Sequence, residues 1–183
     1  AKTCSQLALH DLPSRQTIDS VALMLSQQPN TQLSMQLRIQ GIKQPLLAGR
    51  SQLVNDVHND RPWALLLAPV ATRIVRLEMP TYNINSTLAA VCSHLPLLTE
   101  LVLHVGPHTK TGSSMHLYPS RSQLHTLGIN ALSGWKPFIL LRDGFVMDLR
   151  GLPKLAHLVL RGPTLKLRDD DAAPFKLSPH VQV

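Results

Sequence analysis

The chain has 183 residues, which suits one domain with a real core. Hydrophobic residues make up 44% and charged residues 16%, which excludes a disordered chain and a coiled coil. The net charge of +7 with neutral histidines points to acidic partners: nucleic acid, an anionic surface or an acidic protein. Leucine accounts for 34 of the residues while aromatics are only 4%, a balance typical of a core built from stacked repeats.

In chain order, the first predicted element is a helix over Ser14 to Ser26. Ile18, Val21, Ala22 and Leu25 fall at helical spacing, and Gln27-Gln28-Pro29-Asn30 ends the run. A short strand follows in Met35-Gln36-Leu37-Arg38-Ile39, with alternating apolar positions. The longest apolar run, Trp63 to Ala71, is nine residues broken by Pro69. A membrane-spanning helix needs about 20 such residues, so no membrane span is expected.

Next comes Ile74-Val75-Arg76-Leu77-Glu78-Met79, again with period two. Asn85-Ser86 is placed to cap a helix ending near Ser93, with Leu88, Val91 and Cys92 facing inward. Leu95-Pro96-Leu97-Leu98-Thr99-Glu100-Leu101-Val102-Leu103 then introduces a pattern that returns almost unchanged. Its second copy is Leu152-Pro153-Lys154-Leu155-Ala156-His157-Leu158-Val159-Leu160, 57 residues later. Both read L-P-x-L-x-x-L-V-L, and 57 is two units of about 28. A third copy at the required phase is Leu124-His125-Thr126-Leu127-Gly128-Ile129. The central leucines are therefore Leu77, Leu101, Leu127 and Leu158, with Leu37 as a weaker earlier member.

The period-two ending of each unit is a short strand, and one unit alone cannot bury its apolar face. Stacked copies bury it continuously. Between the units, Gly106–Ser120 is turn-rich and predicts an exposed loop. Phe145-Val146-Met147-Asp148-Leu149 suggests a turn of helix, and Gly162-Pro163 a break. Thr164-Leu165-Lys166-Leu167 is a candidate last strand. The expected organisation is a single domain over 1–167, clearest over 71–165, with 168–183 as a polar tail or cap.

This pattern resembles the leucine-rich repeat family in an irregular form with long helical repeats. Unit lengths vary, and most strands lack the Asn or Cys usual at the following turn. The resemblance implies an α/β fold: a short solenoid with a parallel sheet on the concave face and helices outside. It implies partner binding on that concave face. The strand residues expected there are Arg38, Arg76, Glu78, Val102, His104, Gly128, Val159, Arg161, Lys166 and Arg168.

Chemistry-bearing motifs are sparse. No G-x-S-x-G, GxxxxGK[ST], GxGxxG or HExxH pattern occurs, so no enzyme, cofactor or small-molecule substrate is expected. Among nine histidines, His104 and His108 are four apart at a predicted strand end, which is not a helical metal pair. Asp169-Asp170-Asp171 reads as solvated tail, and no metal site is expected. Glu78 and Arg76, two apart on one strand, predict a surface ion pair. Cys92 sits in an apolar helix and reads as a buried free thiol, which places the chain in a reducing compartment, cytoplasmic or organellar. The chain opens at Ala1, with no visible signal peptide. A removed initiator, a cleaved targeting segment and a fragment all remain open.

Charge is concentrated between 121 and 168. Arg121, Lys136, Arg142, Arg150, Lys154, Arg161, Lys166 and Arg168 stand against Asp143 and Asp148, a net +6. Such a segment can neutralise phosphates without a motif, although only Trp135, Phe138 and Phe145 are there to stack on bases.

Three functions follow as expectations. The first is a non-enzymatic protein-binding or scaffold subunit of a larger assembly. The second is a basic subunit of a ribonucleoprotein, such as an organellar (mitochondrial) ribosome, contacting RNA phosphates. The third follows a resemblance of Leu9-His10-Asp11-Leu12-Pro13 to the start of an F-box, and implies a leucine-rich-repeat substrate adaptor of that type.

Overall fold

The computed structural model describes residues 3–9, 14–37, 67–110, 122–131, 147–161 and 175–183. Their elements run β1 (Thr3–Leu9), α1 (Arg15–Ser26), β2 (Thr31–Leu37), a 3-10 turn (Ala68–Val70), β3 (Ile74–Asn83) and α2 (Ile84–His94). Then come β4 (Glu100–Lys110), β5 (Thr126–Ala131), β6 (Met147–Asp148), β7 (His157–Arg161) and β8 (Phe175–Lys176). Six strands form one open parallel sheet in the order β1-β2-β3-β4-β5-β7, and β6 pairs with β8 in a second, two-stranded sheet. The class is α/β, as the strand-and-helix alternation predicts.

The sheet keeps sequence order because each connection returns the chain to the next position along one edge. The register repeats the leucine spacing. Leu77 pairs with Leu101, Leu101 with Leu127 and Leu127 with Leu158. Two residues on, Met79, Leu103, Ile129 and Leu160 form a second ladder. Leu77, Leu101, Leu127 and Leu158 are essentially inaccessible to solvent, and they belong to one continuous core.

The L-P-x-L segments have a defined job. In each, the N–H of the second leucine donates to the carbonyl of the first: Leu98 to Leu95 and Leu155 to Leu152, both at 3.2 Å. This turn buries both leucines under the sheet and aims the chain into the strand. Arg73 to Val70 (2.9 Å) and Thr31 to Gln28 (3.1 Å), donor first, close the same three-residue turn ahead of β3 and β2. There the leucines are replaced, so the turn is shared more widely than the motif that announces it.

The helices cover the buried face. Ser14 caps α1 by accepting the Thr17 N–H at 3.1 Å. Ile18, Val21 and Leu25 are buried beneath it, with Ala22 partly so, on the predicted stripe. In α2, Leu88, Val91 and Cys92 are buried, also as predicted.

Several expectations are corrected. Helix α2 starts at Ile84 directly from β3, so Asn85 lies inside its first turn and is not its cap. β4 runs on to Lys110, so residues 106–110 of the expected loop are strand; pairing of Asn83 with Lys110 extends the ladder there. Met147–Asp148 is a strand and not a helical turn, because Phe175–Lys176 offers it a partner. Met35, rather than Leu37, is the partner of Leu77, through a register shift between Leu33 and Ser34. β1, with no counterpart among the predicted elements, pairs along its full length with β2.

Beyond β8, Leu177 and Val181 pack on the core. Gln182 bridges to β7: its N–H donates to the Ala156 carbonyl (2.7 Å) and its carbonyl accepts from Leu158 (2.8 Å). The expected strand at 164–167, the break at Gly162-Pro163 and the residues 10–13 of the F-box resemblance lie outside the described residues. Leu9, which precedes them, closes β1.

Candidate functional site

Alternation along each strand sends one set of side chains to the core and the other to the opposite face. Three rows cross that open face. The first is Ser34, Arg76, Glu100, Thr126 and His157; the second is Gln36, Glu78, Val102, Gly128 and Val159. The third is Pro80, His104, Asn130 and Arg161. Arg76, Glu78, Val102, His104, Val159 and Arg161, predicted from the strand phase, are all brought together here. Arg38 and Lys166 lie outside the described residues, as do Arg121, Lys136, Arg142 and Arg168. The register shift in β2 gives Gln36 the place beside Glu78 that the sequence assigned to Arg38.

The rows enclose a shallow depression of about 130 Å³. Val102, Gly128 and Val159 form its floor across three strands. Gly128 is what makes it concave. A Cβ at that position would stand 3.3 Å from a Val102 methyl, so any larger residue would fill the notch.

One end carries the acidic side chains. Glu78 Oε1 accepts from Gln36 Nε2 at 2.7 Å and from His104 Nε2 at 2.8 Å. Arg76 reaches across to two carboxylates, with Nε 3.4 Å from Glu100 Oε1 and Nη2 3.8 Å from Glu78 Oε2. The predicted Arg76–Glu78 pair is therefore present but loose, and Arg76 lies closer to Glu100. Burial disfavours the Glu78 carboxylate. The hydrogen bonds from His104 and Gln36, with the charges of His104 and Arg76, outweigh it and lower its pKa from the ordinary 4.5. Glu100 and Gln36 were missed as site residues. Glu100 shares the parity of Val102, two positions on, and that signal was in the sequence; Gln36 needed the β2 register.

The other end carries Arg161, exposed at the close of β7 and in no ion pair among the described residues. Of the other described members of the basic segment, Arg150 lies in the turn from Leu149 to Leu152, and Lys154 in the next turn, donating to Gln123 Oε1 at 2.5 Å. Both precede β7. The strand itself, about 13 Å from His157 to Arg161 at the usual rise per residue, separates them from Arg161. The described basic side chains therefore do not meet at one point.

His104 and His108 both lie in β4. Among the described residues, no group of three or more His, Cys, Asp or Glu side chains could hold a metal ion. His125 and His157 approach with ring centroids 5.2 Å apart, tilted by 56°. Cys4 is exposed and Cys92 buried, both free, the latter as the sequence predicts. Burial pushes the Cys92 thiol up to about 11, against a smaller opposing effect of its hydrogen bond with Ser122. No helix among the described residues is long and apolar enough to cross a membrane.

The arrangement is a notch with an apolar floor, a carboxylate network at one end and a cation at the other. Comparison with known proteins adds no relative: no family model, no curated protein and no solved structure matches this chain.

Proposed function

We propose that the chain is a non-enzymatic binding subunit of a larger assembly, built as a short leucine-rich-repeat solenoid, and that it engages a protein partner through the open face of its sheet. The observation that carries this reading is the register. Leu77, Leu101, Leu127 and Leu158 stand side by side, so the residues between them make one uninterrupted surface over four strands. A repeat stack uses its core side for stability and leaves the other side for recognition. The two free thiols fit a reducing compartment.

The test is affinity purification of the tagged chain from cells, with and without ribonuclease, followed by mass spectrometry. A fixed set of proteins that survives nuclease is the expected result. Partners that vanish with nuclease would overturn it in favour of a ribonucleoprotein subunit, with the +6 segment 121–168 on RNA phosphates. In that case, reversing Arg150, Lys154 and Arg161 together would weaken the association and leave folding intact.

A further inference from the structure

The open-face depression carries opposite charges at its two ends, and that polarity restricts what it can hold. At the β3–β4 end, the single guanidinium of Arg76 is shared between Glu78 and Glu100, two carboxylates against one cation before His104 is counted. One oxygen of Glu78 is already occupied by Gln36 and His104. Glu100 is the more exposed of the two acids, its side chain 36% accessible against 18% for Glu78. At the β7 end stands the exposed Arg161. Between the ends lies the floor of Val102, Gly128 and Val159, where a Cβ on Gly128 would stand 3.3 Å from a Val102 methyl.

The spacing between the ends follows from sheet geometry. Parallel neighbours lie about 4.8 Å apart and residues about 3.3 Å apart along a strand, so Glu100, two strands and four residues from Arg161, and Glu78, three strands and two residues from it, each lie about 16 Å away. An extended chain advances about 3.3 Å per residue, so four or five residues cover that distance. A helix would cover only about 6 Å over four residues and would not reach both ends with one turn.

We propose that this depression receives an extended segment of a protein partner laid across the strands. The segment carries a Lys or Arg over Glu100 and Glu78, a small apolar side chain over Gly128, and an Asp or Glu over Arg161, four or five residues from the basic one. The occupant follows from charge complementarity: a segment of one sign would place a like charge against one end. The inference rests on the open face being the binding surface and adds which chemistry it selects.

The probe is a display library of random twelve-residue peptides, panned at pH 8 on the immobilised full chain. Enriched sequences are then synthesised and titrated by fluorescence anisotropy. The expected consensus has one basic and one acidic residue four or five positions apart with a small residue between. The consensus peptide should lose at least tenfold in affinity on Thr126→Trp, which roofs the notch from its rim. Asn130→Trp on the opposite rim serves if circular dichroism shows that the first variant is misfolded. In the double variant Glu100→Arg with Arg161→Glu, preference should pass to a peptide with its two charges exchanged.

The outcomes separate the two levels. A consensus of single-sign charge that Thr126→Trp still blocks would overturn the bipolar occupant and leave the open face as the binding surface. A consensus unaffected by either tryptophan would overturn both. Failure to enrich any sequence would overturn the bipolar occupant, because a preformed notch of this polarity has to select for it.

Discussion

Two side chains give the clearest readouts of local environment. Glu78 sits under hydrogen bonds from Gln36 and His104, and its pKa is lowered. A carboxylate with a depressed pKa contributes stability above its unfolded value of 4.5 and loses it as pH falls through the folded one. Wild-type protein should therefore lose more stability than Glu78→Gln between pH 6 and pH 3, as measured by urea unfolding at each pH. Parallel losses in the two proteins would mean that the network contributes nothing to folding. Cys92 makes a different prediction. Its buried thiol, raised to about 11, is a poor nucleophile at pH 8, while Cys4 is exposed. Iodoacetamide should modify one thiol per native chain and two in denaturant, read by intact mass. Two modified thiols under native conditions would contradict the burial of α2 on the sheet.

At the scale of elements, the sequence was most readable where unit and register coincide. The L-P-x-L-x-x-L-V-L copies at 95–103 and 152–160 marked β4 and β7, and the phase of Leu77 and Leu127 marked β3 and β5. This works because a stacked strand must present its largest apolar side chain at the same height as its neighbours, so the register is written in the spacing. It failed where another force sets the structure. Leu37 matched the pattern as well as Met35 did, and the β2–β3 register, with its irregularity between Leu33 and Ser34, sets Met35 beside Leu77. Gly106-Pro107 carries turn signals, yet β4 passes through them because β3 supplies a neighbour out to Asn83. Likewise, Met147–Asp148 becomes a strand through a partner 28 residues away. The depression was legible in part: strand parity named Arg76, Glu78, Val102, His104, Val159 and Arg161, while Gln36 depended on the shifted register. The leucine ladder itself is testable. Leu101→Asp and Leu158→Asp each bury an unpaired carboxylate, at a cost of several kcal/mol, and should abolish cooperative unfolding by circular dichroism. A soluble, cooperatively folding Leu158→Asp protein would refute the observed register.

For the whole molecule, stability is propagated from each strand to its neighbours, and the ends of the sheet are the exposed points of the scheme. β1 stands at one end and β7 at the other. The β7 end is not left bare, because Gln182 exchanges backbone hydrogen bonds with Ala156 and Leu158 while Leu177 and Val181 cover the adjoining core. This makes residues 177–183 a structural lock on the β7 edge of the six-stranded sheet, bonded just where the Leu152–Leu155 turn delivers the chain into β7. The consequence can be measured with one substitution. Gln182→Pro removes the N–H that donates to Ala156 and leaves the side-chain packing of Leu177 and Val181 in place. Loss of one such bond costs about 1 kcal/mol, which for a chain of this size lowers Tm by about 2–4 °C. Removing residues 177–183 should lower it further, since the apolar cover goes with the hydrogen bonds, and should raise the apparent mass in light scattering as the β7 edge becomes available to other chains. A truncated protein that melts with the wild type and stays the same size would show that β7 needs no such lock, and that the stack is closed by its own leucines alone.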